Sequence, residues 1–378
     1  MSRRHALLAA LLAAALLTLA ACGSGGSGGS DSATKAAPAG RTVAVKLADA
    51  GCDPAELELR SGPVTFEVSN DGADAVTELE ILEGDHVLGE VENVAPGLSG
   101  KFSLTLKPGR YTLYCPGGDV ERGPLVVTGA GPKAPSSAAA AAVATYRSYI
   151  ERQTASLVER TREFVRALGS GGLSAAKASY VAARTPYERI EPVAESFGGL
   201  DPAIDARAGD VPAKEWTGFH PIEKTLWVTS TTRGTDGLAA KLLRDVRRLQ
   251  RKAQTVELEP AQIANGAVEL LGEVSKSKIT GEEERYSHTD LVDFEANVDG
   301  AKAAFDAVAP LVSKRNADLA AEIRTRFADV YKALRPYRGG IGFVEYTTLT
   351  EEDTRGLSRA IDALAEPLSQ VGAIVAAQ

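Results

Sequence analysis

The chain predicts a multidomain protein: an N-terminal all-β sandwich followed by an all-α helical bundle. Two observations carry this. Short alternating apolar segments with turn signals run from Arg41 to Thr128, and a helical apolar period runs from Ala138 onward. A Gly/Pro/Ala/Ser connector, residues 129–137, separates them.

The first element is a processing segment, residues 1–22. Arg3 and Arg4 form a positive start, Ala6 to Leu19 an apolar stretch, and Leu19-Ala20-Ala21-Cys22 reads as a lipobox with Cys22 as the lipidated residue. An ordinary signal peptide with a chance cysteine is the plain alternative. Residues 23–40 are rich in Gly, Ser and Ala and read as a flexible tether. No second long apolar run follows, so the expectation is anchoring by lipid at the outer face of the cytoplasmic membrane rather than spanning.

The sandwich spans residues 41–128. Thr42-Val43-Ala44-Val45-Lys46-Leu47, Val64-Thr65-Phe66-Glu67-Val68 and Phe102-Ser103-Leu104-Thr105-Leu106 alternate with period two. Ser61-Gly62-Pro63, Asn70-Asp71-Gly72, Pro96-Gly97 and Lys107-Pro108-Gly109 mark turns, giving roughly seven strands. Glu78 and Glu80 fall on one strand face and Leu79 on the other. Outside the cytoplasm, Cys52 and Cys115 are expected to pair as a disulfide. His86 reads as a surface loop residue.

The helical region spans residues 138–378. Ile150, Leu157, Phe164 and Leu168 lie near one stripe of a first long helix. Ser174 is placed as the cap of a second, which Pro186 and Pro192 kink or break. Further helices are expected at Pro221–Val228, Leu238–Gln254, Pro260–Val274, Leu291–Val312, Leu319–Leu334 and Glu351–Ala376, with N-caps at Thr289 and Thr350. Short connections argue for an antiparallel bundle, with room for two packed four-helix bundles.

The formal charge is −8, or −10 without Arg3 and Arg4. Such acidity disfavours nucleic acid as a partner and suits cation handling, although surface solubility accounts for it equally. Within the helical region, His220 and Glu223 stand three residues apart, as do Glu188 and Glu191, with Glu195 four further on. Asp201, Asp205 and the acidic loop Gly281 to His288 add carboxylates. One imidazole among many carboxylates favours iron, manganese or zinc. The bland readings are a solvated acidic face, and His220 as an N-cap with Glu223 as its capping-box carboxylate.

Tyr187 to Phe197, Gly218 to Trp227 and Lys278 to Leu291 together resemble the imelysin/EfeO family. Cys52-Asp53-Pro54, Glu78-Leu79-Glu80 and Tyr111-Thr112-Leu113-Tyr114-Cys115 resemble a cupredoxin-like sandwich, in the same order as in iron-uptake members. The resemblance implies a lipoprotein that binds iron (Fe³⁺ or Fe²⁺, with copper or zinc as alternatives). Such a protein delivers it to an EfeU-type permease beside an EfeB-type haem peroxidase. It places the family's His-x-x-Glu motif on His220 and Glu223, and acidic ligands on Glu188, Glu191, Asp205 and Glu283. Pro221 stands where a basic residue is expected. The resemblance also supports a second metal site at Cys52, Glu78, Glu80 and Cys115. Blue-copper chemistry is disfavoured, because His86 is the only histidine of this domain.

Two other function classes are open. An imelysin-type metallopeptidase is one, although a zincin's His-Glu-x-x-His motif is absent. A non-metal adaptor between permease and peroxidase is the other.

Overall fold

The computed structural model describes residues 41–132, 134–339 and 342–377. Cys22, the leader and the tether lie outside the described residues. Among these residues, no helix is long and apolar enough to cross a membrane.

In chain order the strands are β1 (Arg41–Ala48), β2 (Gly51–Asp53), β3 (Leu57–Arg60), β4 (Gly62–Asn70), β5 (Leu79–Glu83), β6 (His86–Val91), β7 (Ser99–Leu106), β8 (Gly109–Tyr114) and β9 (Arg122–Thr128). They form two facing sheets of order β2-β1-β4-β7 and β3-β9-β8-β5-β6. Short β2 and β3, each at a sheet edge, take the count above the expected seven. Alternation sends Val64, Phe66 and Val68 of β4 into the core against Leu79, Ile81, Leu113 and Leu125 of the other sheet.

Buried Asn70 fixes the loop that leads to Glu78. Its Nδ2 donates to the carbonyls of Ala73 (2.9 Å) and Val94 (2.8 Å), and its Oδ1 accepts from the backbone of Gly72 and Ala73. Cys52 and Cys115 are bonded, joining β2 of one sheet to the end of β8 in the other. Closing a loop of 63 residues removes unfolded-state entropy equivalent to about 4 kcal/mol in the chain-entropy account. His86 begins β6 and is half-buried, so it is not a surface loop residue.

The helices are α1 (Ser137–Gly169), α2 (Leu173–Glu188), α3 (Leu200–Asp205), α4 (Phe219–Trp227), α5 (Asp236–Ala253), α6 (Pro260–Lys276), α7 (Asp290–Arg315), α8 (Ala317–Leu334), α9 (Glu351–Leu368) and α10 (Val371–Ala376). Ile150, Leu157, Phe164 and Leu168 of α1 are buried as their spacing requires. Helix α2 starts at Leu173 with Gly172 at its N-cap, so Ser174 is not the cap. The expected break follows Pro186: α2 ends at Glu188, and the chain continues as 3₁₀ turns at Glu191–Val193 and Glu195–Phe197. Thr350 forms a capping box with Asp353. Thr289 stands at the N-cap of α7 but makes no capping bond there; its hydroxyl donates to Glu284. The expected final helix divides into α9 and α10 just past Pro367. One apolar core runs through the helices, with α7 central and buried on most sides.

The helical domain packs on the sandwich through α6 and α10. Asn265 Nδ2 donates to the Ser103 carbonyl (2.7 Å), Thr105 Oγ1 to the Ala376 carbonyl (3.0 Å), and the Glu92 N–H to Glu269 Oε1 (2.9 Å).

One glycine sets the geometry of the candidate centre. Gly218 has φ +94°, and a Cβ there would stand 2.0 Å from the Ile204 carbonyl oxygen. That close approach seats the end of α3, with Asp205, beside the start of α4, with His220. Gly218→Ala is expected to destabilise the fold by about 1–3 kcal/mol from backbone strain alone, measured by urea unfolding, and to weaken metal binding by moving His220 from Asp205.

Candidate metal centre

His220 is the second residue of α4, inside the first turn, where N–H groups lack helical acceptors; Pro221 therefore fits next to it without loss of a hydrogen bond. The N-cap is Gly218, so His220 does not cap the helix. Nor is Glu223 a capping-box carboxylate: its Oε1 accepts the backbone N–H groups of Tyr286 (2.8 Å) and Ser287 (2.7 Å) from the acidic loop. Its Oε2 lies 3.1 Å from His220 Nδ1. The other ring nitrogen, Nε2, lies 3.6 Å from Asp205 Oδ1 and 3.7 Å from Glu283 Oε1.

Asp205, His220 and Glu283 each offer a ligand atom within 4.8 Å of the other two, and so do His220, Glu223 and Glu284. Donors at about 2.0–2.6 Å from a hard cation stand at such mutual separations. The structure thus brings together four of the six expected residues, Asp205, His220, Glu223 and Glu283, around one imidazole. Glu188 joins Glu283 through shared cations, Arg184 and Lys278. Glu191 stands a step further out, on Lys278 and Asn297.

Glu188, Glu191 and Glu195 do not lie along one helix, because α2 ends at Glu188 and the other two occupy separate 3₁₀ turns. Glu188 and Glu191 still converge, while the Glu195 carboxyl meets Glu90 of the sandwich.

Two buried bases went unnoticed in the sequence. The Arg184 guanidinium is fully buried and ion-pairs with Glu188, Asp205, Glu283 (3.0 Å), Glu284 (2.7 Å) and Asp293 (3.2 Å). Lys278 pairs with Glu188 (3.4 Å), Glu191 and Glu283 (3.7 Å). Arg184 stands four residues before Glu188, an (i, i+4) ion-pair spacing that was available to find it. Asp290, Asp293 and Asn297 form a buried polar stripe on α7, a second available signal. Asp290 Oδ2 and Asn297 Oδ1 are buried with no hydrogen-bond partner among the described residues, as oxygens awaiting a cation or donor would be.

Carboxylates remain in excess. Glu188, Asp205, Glu223, Glu283, Glu284 and Asp293 face three permanent cations, Arg184, Lys278 and, on Glu283 alone, Arg207 (3.3 Å), and the titratable His220. Burial and Arg184 press the His220 pKa down, but its hydrogen bonds to Glu223 and Glu283 and the charge of Asp205 prevail, raising it to about 9. Burial, opposed by Arg184, lifts Asp205 to about 7. Glu283 is held well below the ordinary carboxylate range: burial opposes this, and Lys278, His220 and Arg184 overcome it. A cavity of about 320 Å³ reaches this region, lined by Glu191, Asp205 and Glu283.

The second expected set does not assemble through its cysteines. The disulfide removes Cys52 and Cys115 as thiolate ligands. Strand alternation also divides the set: Glu80 pairs with Tyr114, so Cys115, the next residue, points to the sandwich core, where it is fully buried. Glu78 and Glu80 do share the opposite face, and there they meet other acids. Glu78, Glu90 and Glu92 each place a carboxylate oxygen within 4.8 Å of the others.

Comparison with known proteins places the chain in a family. Residues 142–371 match the imelysin family, and residues 8–127 match the cupredoxin-like domain. The iron uptake system component EfeO of Escherichia coli K12 is 39% identical over 345 residues, covering 88% of this chain and 91% of that protein. EfeO of Shigella flexneri and of Escherichia coli O157:H7 match with the same identity and coverage. The helical fold also resembles a crystal structure described as that of an iron-regulated protein A precursor from Parabacteroides distasonis, with TM-score 0.51, 15% identity, and coverage of 64% of this chain and 97% of that one. The chain belongs to the imelysin family, among the EfeO-type members that carry a cupredoxin-like sandwich ahead of the helical domain.

Proposed function

We propose that this chain is the lipid-anchored extracytoplasmic iron-binding component of an EfeUOB-type uptake system, delivering iron to an EfeU-type permease alongside an EfeB-type haem peroxidase. The observation that carries the reading is the convergence of Asp205, His220 and Glu283 from three separate segments into a buried, acid-rich setting. Oxygen donors with one imidazole suit iron in either oxidation state, and the excess of carboxylates favours Fe³⁺ over Fe²⁺ by charge. Reduction or protonation of the ligands then weakens the hold and permits release. Related proteins named as iron uptake components, similar across most of this chain, support the same reading.

The metal-free centre has its own cations. Arg184 and Lys278 hold the carboxylates together against their mutual repulsion, so the site is assembled before the metal arrives. An incoming ion competes with Arg184 for Asp205 and Glu283. Hydrolysis of peptides fits less well, because His220 has carboxylate and guanidinium neighbours and, among the described residues, no second histidine beside it to complete a zincin site.

Calorimetric titration of the two-domain chain with iron tests the carrier reading. His220→Ala and Asp205→Asn are each expected to lower affinity at least tenfold, and unchanged affinity in both would overturn the assignment. Steady cleavage of denatured casein in the presence of zinc would restore the peptidase reading.

The pH dependence follows from His220 near 9 and Asp205 near 7. Both groups are partly or wholly protonated at pH 7 in the metal-free chain, and a ligating nitrogen or oxygen must shed its proton. Iron binding at pH 7 is therefore expected to release protons, and affinity should rise from pH 6 to 9. Titration in two buffers of different ionisation enthalpy measures that release.

Arg184→Ala leaves buried carboxylates without their main partner. The variant is expected to lose about 3–5 kcal/mol of stability, read by chemical denaturation, and bound metal should restore part of it.

A further inference from the structure

Of the three cations at the centre, Arg207 differs from the other two in its setting. The side chains of Arg184 and Lys278 are 1% and 4% exposed, whereas that of Arg207 is 25% exposed. Arg207 lies just past α3, in an irregular segment, Ala206 to Thr217, that leads to α4. The neck of this segment is closed. Trp216 Nε1 donates to the Ala206 carbonyl (2.8 Å), and Thr217 Oγ1 donates to the Ala203 carbonyl (3.0 Å). A compact surface loop whose ends meet in this way is an Ω-loop.

The Arg207 guanidinium stands between the metal centre and the loop's own acid. Its Nη1 lies 3.3 Å from Glu283 Oε2, with Glu273 (3.8 Å) and Glu282 (3.9 Å) further out. Its Nε lies 3.3 Å from Asp210 Oδ2, which also accepts the Arg207 N–H (2.8 Å). Asp210 is exposed. The two oxygens of Glu283 are divided: Oε1 faces Arg184 (3.0 Å) and His220 Nε2 (3.7 Å), and Oε2 faces Arg207 and Lys278 (3.7 Å). Among the described residues that line the cavity, Arg207 is the one base, set among acids such as Asp205, Glu273 and Glu283. A metal that takes Asp205 and Glu283 leaves Arg184 still paired with Glu188, Glu284 and Asp293, and Lys278 with Glu188 and Glu191. Neither buried base has reason to move. Arg207 alone has a partner on the solvent side, and side-chain rotation suffices to reach it.

We propose that Arg207 is the exchangeable counter-ion of the metal centre. It holds Glu283 in the metal-free chain, yields that carboxylate to the incoming cation, and turns to Asp210 until the metal leaves. The exchange rests on the reading of this chain as an iron carrier. Entry of iron breaks the Arg207–Glu283 pair, so the centre binds less tightly than its carboxylates alone would allow. Re-formation of the same pair assists release, with the buried network of Arg184 and Lys278 left in place. Arg207 is therefore a positioning residue that acts through Glu283, and it tunes the centre toward delivery rather than storage.

The experiment is anoxic calorimetry of the intact two-domain chain with Fe²⁺, followed by transfer of the bound iron to a chromogenic chelator. It compares wild type, Arg207→Gln, Asp210→Asn and the double variant. Arg207→Gln is expected to bind iron about fivefold more tightly, as loss of one competing ion pair predicts, and to release it more slowly. A merely structural loss of the loop would weaken binding, the opposite sign. Asp210→Asn removes the second partner of Arg207 and is expected to weaken binding about threefold in the wild-type background. In the Arg207→Gln background it should have no effect. That non-additivity separates an exchange through Arg207 from the general field of either charge. Metal-free melting of each variant keeps a loss of folding apart from a change in affinity. Equal or weaker affinity in Arg207→Gln would overturn the exchange and leave the carrier reading intact. The same effect of Asp210→Asn in both backgrounds would overturn it as well. A wild-type chain that takes up no iron would remove the carrier reading itself, and the exchange with it.

Discussion

The arrangement around Arg184 is the constraint on which the helical domain depends. A guanidinium with no solvent exposure is tolerable only where carboxylates surround it, and carboxylates so deeply buried are tolerable only where cations do. Glu188 comes from α2, Asp205 from α3, Glu283 and Glu284 from the acidic loop, and Asp293 from α7. One side chain thus fixes the mutual placement of four segments that are distant in sequence. The planar fork suits this task better than an ammonium would, because it presents donors in several fixed directions at once. Tyr180 and Ser287, both donating to Glu284, extend the network toward the apolar core.

His220 is held by the same logic at one remove. Its ring is anchored through Nδ1 by Glu223, itself immobilised by two backbone N–H groups of the acidic loop. That arrangement leaves Nε2 directed at Asp205 and Glu283. A carboxylate behind a histidine is the usual means of fixing the orientation and basicity of a metal-binding imidazole. In the metal-free chain the His-x-x-Glu spacing sets Glu223 Oε2 against His220 Nδ1 on one side of the first turn of α4. Glu223 fixes the ring from behind, and its free capacity is turned toward the loop.

Much of this was legible in residues alone. The change of apolar period at the connector divided the chain correctly into sandwich and helices, and the stripe Ile150, Leu157, Phe164, Leu168 is the buried face of α1. His220 and Glu223 stand three residues apart in sequence, the family resemblance implied Asp205 and Glu283 beside them, and the fold brings these four side chains together. What escaped was long-range: a buried arginine is written in the sequence like an exposed one, and only the closure of the bundle shows which carboxylates it neutralises. Glu195 parts from Glu188 and Glu191 for a local reason. Its spacing from Glu191 suits a continuing helix, whereas Pro192 and the end of α2 at Glu188 turn the chain into 3₁₀ turns that redirect the side chain. Cys115 and Glu80 were grouped by sequence motif, although strand alternation sends them to opposite sides of one sheet.

The docking of α6 and α10 has a consequence for the sandwich itself. Strand β6 ends one sheet and β7 the other, and each therefore presents unsatisfied backbone groups on its outer flank. Asn265 and Glu269 of α6 occupy part of those flanks, with α10 beside them. Severed at the 129–137 connector, the β-domain would bare two strand rims to any neighbouring chain and so be prone to stack edge to edge. The helices thus serve as a permanent chaperone for the domain that precedes them.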